Sequence, residues 1–195
     1  MAARHPPLIV ATAADDAYAH GLSVAMASLA AQADPGRQLI IHVLDGGLSP
    51  RAWQRLSRRL PSLHPAVTLR RHDPDLRKLH AFADRGGLGR LCYARLLLAD
   101  RIDADRVLYI DSDILCRSDP SALFDQDLQG AVLGAVQDTL IRDLGNDLMP
   151  LGLPPEQAQD PYFNSGVLLI DLHQWRREQV SERCFSLLDR KSTRL

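Results

Sequence analysis

The chain has 195 residues, 46% hydrophobic and 24% charged, enough to bury one sizeable core in a single domain over 1–195. A net charge of −1 and a pI near 6.6 argue against nucleic-acid binding, which asks for a basic face; the arginine pairs at 58–59, 70–71 and 176–177 read as solvated surface. Three widely spaced cysteines (Cys92, Cys116, Cys184) make no C-x-x-C pair, which argues against a zinc knuckle or a disulfide framework and fits a reducing, cytoplasmic compartment.

The opening "MAARHPPLIVATAADD" holds too short an apolar run for a signal peptide or an integral membrane span. Within it, 7–14 reads as a buried strand. Residues 17–33 carry Tyr18, Leu22, Ala25, Met26 and Leu29 near helical spacing, and Asp34-Pro35-Gly36 stops that helix. A second strand is expected at 38–45. Ser49-Pro50 then supplies an N-cap and a first-turn proline, with Trp53, Leu56 and Leu60 on one helix face. Residues 66–73 alternate as a third strand, 91–100 suits a helix, and 105–113 is a fourth strand. A short helix at 119–124, strands at 130–138 and 163–172, and a helix at 181–191 complete the pattern.

Strand and helix alternate, and the strands are nearly continuous apolar runs. That predicts an α/β fold: a mostly parallel, Rossmann-like sheet with helices on both faces. Ligands of such sheets sit at the carboxyl ends of the strands. The long Pro- and Gly-bearing segment 139–162 reads as a lid or substrate wall.

The chemistry gathers at strand ends. In "YIDSDIL" an apolar run gives way to Asp111-Ser112-Asp113. In extended chain the two carboxylates would share one side, where they repel unless a hard divalent cation such as Mn²⁺ or Mg²⁺ lies between them. The tripeptide is common, and a solvated, capped loop explains it as well. An EF-hand fails for want of its glycine. Asp15 and Asp16 end the first strand in the same way, with a helix cap as the plainer reading. Arg95, in the apolar "CYARLLL", would be costly to bury without a phosphate or carboxylate partner, though an arginine can also snorkel to the surface. In "FNSGVLLIDL" the small residues Ser165 and Gly166 beside Asn164 let a ligand approach the backbone, or make an ordinary turn.

Together, "ATAADDAYAHGLSVAMASL", "IIHVLDGGLS", "YARLLLAD", "DRVLYIDSDILCRSDPSALFDQDL" and "YFNSGVLLIDLHQW" resemble family 8 glycosyltransferases from about residue 8 to residue 190. The group includes bacterial lipopolysaccharide galactosyl- and glucosyltransferases and glycogenin. The resemblance implies a GT-A fold and a retaining transfer of glucose or galactose from a UDP-sugar to a saccharide or glycolipid acceptor. It implies Mn²⁺ (or Mg²⁺) on Asp111 and Asp113, with Ser112 between them in the donor site. Ala13 and Asp15 would line the uracil pocket. Arg95 would reach the donor sugar or diphosphate, Asn164, Ser165 and Gly166 would face the sugar, and Asp138 would sit near the donor or acceptor hydroxyls. Arg95 and Asp138 are thus the expected catalytic residues. A lipopolysaccharide acceptor would bring the protein to the cytoplasmic face of a membrane as a peripheral visitor.

Two departures stand out. Position 17 is alanine where some members have asparagine. After the F-N-x-G block the family continues to a D-Q-D-type segment and then to a histidine that supplies a third metal ligand; neither follows here, and the last histidine is His173. The expectation is a domain incomplete at its C-terminus that binds UDP–Mn²⁺ weakly and transfers sugar poorly. The alternative is a non-catalytic UDP-binding domain. A nucleotidyltransferase would open with a Gly-rich basic loop, and a dehydrogenase with G-x-G-x-x-G; "ATAADDAYA" is neither.

Overall fold

The computed structural model describes residues 5–73, 79, 89–145 and 154–192. Six strands form one sheet: β1 (Leu8–Ala14), β2 (Leu39–Asp45), β3 (Val67–His72), β4 (Arg106–Ile110), β5 (Leu133–Gln137) and β6 (Phe163–Asp171), in spatial order β3-β2-β1-β4-β6-β5. The first four named in that order are parallel, with Val10 opposite Leu108 and Ile41 opposite both Val10 and Leu69. β6 runs antiparallel to β4, and β5 antiparallel to β6. The parallel sheet is therefore real, with β6 alone reversed between β4 and β5, which both run in the common direction.

Helices cover both faces, as the unbroken apolar strands require. On one face lie α1 (Ala19–Gln32) and α2 (Pro50–Leu63). Leu22, Met26 and Leu29 of α1 and Leu56 and Leu60 of α2 are buried there against Val10, Ile41 and Leu108. Each such leucine stabilises the fold by about 1.5–3 kcal/mol. The Ser49 hydroxyl caps α2 by accepting from Ala52 N, and Pro50 fills the first turn, both as the sequence predicts. On the other face α3 (Leu98–Arg101), α5 (Leu172–Arg177) and α6 (Val180–Ser192) pack with a 3₁₀ helix, Arg90–Leu97. Their core holds Leu97, Leu98, Leu172 and Trp175 against Tyr109, Leu168 and Ile170.

Several expected boundaries move. The 91–100 helix is mostly 3₁₀: it follows Gly89 at φ +61°, and the Arg95 side chain takes the Cys92 carbonyl three residues back. β4 stops at Ile110, so Asp111 to Asp113 form a turn rather than extended chain. α5 interrupts the run after β6 because Asp171 accepts from Gln174 N and caps a new helix. α4 (Ser121–Phe124) is the expected short helix. Of the segment read as a lid or wall, 146–153 lie outside the described residues; its flanks close on one another, with Leu144 N donating to the Asp160 carbonyl at 2.9 Å. Among the described residues no helix is long and apolar enough to cross a membrane.

Candidate functional site

Strand polarity decides what meets at one edge of the sheet. β1 and β4 are parallel, so both carboxyl ends open there, delivering Ala13 to Asp15 and Asp111 to Asp113. β6 is antiparallel to β4, so its opening residues Asn164 to Gly166 reach the same edge. Asp111 N donates to the Gly166 carbonyl at 2.8 Å, continuing the ladder one step past β4. The cleft formed here is lined by Ala13, Tyr18, Arg95, Asp111, Ser112 and Asp113, with Ala14, Leu91, Cys92 and Tyr109.

Asp111 is held from beneath. Its Oδ1 accepts from the Tyr109 hydroxyl at 2.8 Å and from Arg95 Nη2 at 3.0 Å. Arg95 also donates from Nε to the Cys92 carbonyl at 2.8 Å and from Nη1 to the Ser165 carbonyl, and its guanidinium lies 4.6 Å from the Tyr109 ring centre. The partner that a mostly buried Arg95 needs is thus a carboxylate of the cleft itself. Burial, and secondarily the Asp111 carboxylate, pushes the Tyr109 phenol far above its ordinary pKa against the opposing pull of Arg95. Tyr109 therefore remains a donor at any physiological pH.

The two carboxylates share a cleft through the turn, not through strand alternation. The turn is tight against α1: a Cβ at Gly21 would lie 2.8 Å from the Ser112 carbonyl oxygen. Ser112 is buried and Asp113 exposed. Among the described residues neither Asp113 nor Asp111 Oδ2 has a hydrogen-bond partner, so two hard, anionic oxygen donors stand free in one cleft. That donor chemistry fits a divalent cation. Among the described residues no third His, Cys, Asp or Glu completes a metal-holding group with them.

The other expected residues form a second cluster, joined to the first at Gly166. A Cβ there would meet Asn164 Oδ1 at 2.9 Å and Asp111 Oδ2 at 3.0 Å, so only glycine lets β6 pass this close to Asp111. Asn164 Oδ1 accepts from Gly166 N at 2.8 Å, and Asn164 Nδ2 donates to Asp138 Oδ2 at 3.1 Å. Asp138 Oδ1 also accepts from Leu140 N and Ile141 N, and those two backbone bonds, followed by the Asn164 amide, hold its carboxyl below the usual range. A register shift between Ala135 and Val136, a bulge against β6, sets this pairing.

Asp138, Asn164, Ser165 and Gly166 flank the cleft without lining it, and Asp15 likewise. The Asp15 carboxylate accepts from Tyr18 N at 3.2 Å at the entry to α1. Asp16, read as a cap of α1, instead accepts from Ser49 N at 2.9 Å and ties the start of α2 to the end of β1. Sequence reading passed over Tyr109 as one more apolar strand residue; its i, i+2 spacing from Asp111 was the available signal. Leu91, Cys92 and Tyr18 had no such signal.

Comparison with known proteins gives a consistent set. The model of glycosyl transferase family 8 matches residues 9–195. General stress protein A of Bacillus subtilis is 26% identical over 183 residues, 92% of this chain and 61% of that protein. Lipopolysaccharide 1,2-glucosyltransferase of Escherichia coli is 27% identical over 183 residues, 93% of this chain and 52% of that protein. The chain thus spans a little over half the length of these curated relatives. Among solved structures, galactosyltransferase LgtC in complex with donor and acceptor sugar analogues superposes with a TM-score of 0.74 at 30% identity, covering 95% of this chain and 69% of that one. The bifunctional glycosyltransferase WbbM, at 24% identity and a TM-score of 0.77, covers 94% of this chain and 35% of its own and shares the fold.

Proposed function

This chain belongs to glycosyl transferase family 8, and on that premise we propose that it carries the donor site of a retaining hexosyltransferase. The donor is a UDP-sugar, UDP-glucose or UDP-galactose, and the acceptor a saccharide or lipopolysaccharide. One observation carries the reading: Asp111 and Asp113 present free carboxylate oxygens in a single cleft while Arg95 and Tyr109 hold the first from behind.

Asp111 and Asp113 would hold Mn²⁺ or Mg²⁺. A cation bound there supplies Lewis acidity toward the charge that grows on departing UDP. In the transfer the bond from the anomeric carbon to the β-phosphate oxygen breaks, the acceptor oxygen bonds that carbon, and the acceptor's proton is released. Ala13, Asp15 and Ser112 are assigned to the nucleoside side of the cleft. Asn164, Ser165 and Gly166 are assigned to the sugar, and Asp138 to its hydroxyls. Arg95 lines the cleft, yet its bonds run to Asp111, Ser165 and Cys92, which favours a positioning role through Asp111 over direct attack on the donor's charge. The proposed setting is cytoplasmic, with peripheral visits to a membrane-borne acceptor.

A second reading, a UDP-binding domain without turnover, draws on one observation: among the described residues no third His, Cys, Asp or Glu joins the two carboxylates.

Calorimetric titration of UDP with and without Mn²⁺, on this chain and on Asp113→Ala, tests the site. Mn²⁺-dependent heat that vanishes in the variant is expected; equal binding without Mn²⁺ would overturn the carboxylate assignment. Release of UDP from UDP-hexose in the presence of an acceptor would decide against the second reading.

A further inference from the structure

We propose that the outer surface of α1 and α2 is a docking face for an anionic phospholipid surface. The argument is independent of the donor site. α2 is amphipathic: Leu56 and Leu60 are buried, while Arg51, Arg55, Arg58 and Arg59 are all exposed at helical spacing on the opposite side. Neither α1 nor α2 contains an Asp or Glu. None of the four arginines enters an ion pair among the described residues. A chain of net charge −1 thus gathers uncompensated positive charge on one helix.

Beside these arginines runs an aliphatic groove. Val24 and Ala27 of α1, Leu63 of α2 and Leu115 line it, with Arg55 and Arg59 at its rim. Val24 is 46% exposed and Leu115 63% exposed. Guanidinium groups over phosphates, with aliphatic side chains entering the headgroup boundary, is the arrangement by which a surface-lying helix meets an anionic bilayer. Nucleic acid fits less well, since no Phe, Tyr or Trp lines the groove to stack a base. The Asp16–Ser49 bond ties the start of α2 to the end of β1, so the basic face begins beside the cleft.

Co-sedimentation of the chain with vesicles of phosphatidylglycerol and phosphatidylcholine in equal parts, against phosphatidylcholine alone, tests this. Binding is expected only to the anionic vesicles, and it should be lost near 1 M salt, where screening shrinks to about 3 Å. Arg55→Glu with Arg58→Glu should weaken partitioning by about tenfold or more. A charge-matched control, Arg177→Glu with Arg183→Glu on the exposed far side, should leave it unchanged, and circular dichroism confirms that both variants fold. Equal losses in the two variants, binding to neutral vesicles, or binding to a duplex oligonucleotide but not to vesicles would each overturn the proposal.

Discussion

The Tyr109 phenol donates to Asp111 Oδ1 at 2.8 Å from within the core, at 1% exposure, so a buried strand residue sets the orientation of a cleft carboxylate two positions further on. Arg95 completes the arrangement by donating to the same oxygen and covering the ring. Asp111 Oδ2 is thereby left without a hydrogen-bond partner among the described residues.

Tyr109→Phe keeps the ring and its packing and removes one bond to a charged acceptor. Such bonds contribute about 1.5–3 kcal/mol. The variant should fold and bind UDP–Mn²⁺ roughly tenfold more weakly or worse. Calorimetry paired with a thermal melt reads this out. Unchanged affinity would mean that Arg95 alone orients Asp111.

Arg95→Lys tests the guanidinium fork. A lysine ammonium cannot span the Cys92 carbonyl, the Ser165 carbonyl and Asp111 together, and it stacks less well on Tyr109. The expected loss is about 1–3 kcal/mol of folding stability, a fall in melting temperature of several degrees. Nucleotide affinity should fall alongside. Asp113→Ala should differ: its carboxylate has no partner among the described residues, so affinity goes and stability stays.

Gly166→Ala should act on the cleft without touching the core. Its Cβ would press on Asn164 Oδ1 and Asp111 Oδ2, and relief requires one of those side chains to turn away. We expect weaker UDP–Mn²⁺ binding with a melting temperature within about 3 °C of wild type. A large drop in stability with intact binding would show that the strand moves instead.

Most strands were legible as bounded apolar runs and β3 by its alternation, and Ser49-Pro50 announced α2 by cap chemistry alone. The reversal of β6 was not legible. An apolar run reads the same in either direction, and only pairing partners fix polarity. The D-S-D carboxylates were found for a partly mistaken reason. Alternation along a strand suggested a shared side, whereas a turn packed against Gly21 brings them together. Tyr109 lies two residues from Asp111 and could have been read from that spacing, whereas the Asp138–Asn164 bond joins positions 26 apart and does not follow from spacing within one segment. α5 was hidden because Asp171 looks like the polar end of a strand until Gln174 is seen to donate to it.

His42 contributes to the loss of stability toward acid. Its Nδ1 lies 2.9 Å from His72 Nε2, and the two rings stack with centres 5.0 Å apart. Burial first, then the neighbouring His72 and Arg70, lowers the His42 pKa to about 4. Burial, Arg70 and Arg101 lower that of His72 as well. Between about pH 6.5 and pH 4 the unfolded chain therefore takes up a proton at position 42 that the folded protein refuses. Stability is full above the unfolded pKa and falls as pH drops through that window, by up to about 3 kcal/mol from this group, then levels off below pH 4. Urea unfolding at pH 7, 5.5 and 4.5 should trace that slope. His42→Leu, which cannot take up the proton in either state, should lose some stability at pH 7 and show a visibly shallower decline toward pH 4.5. An unaltered slope in the variant would assign the acid sensitivity to other groups.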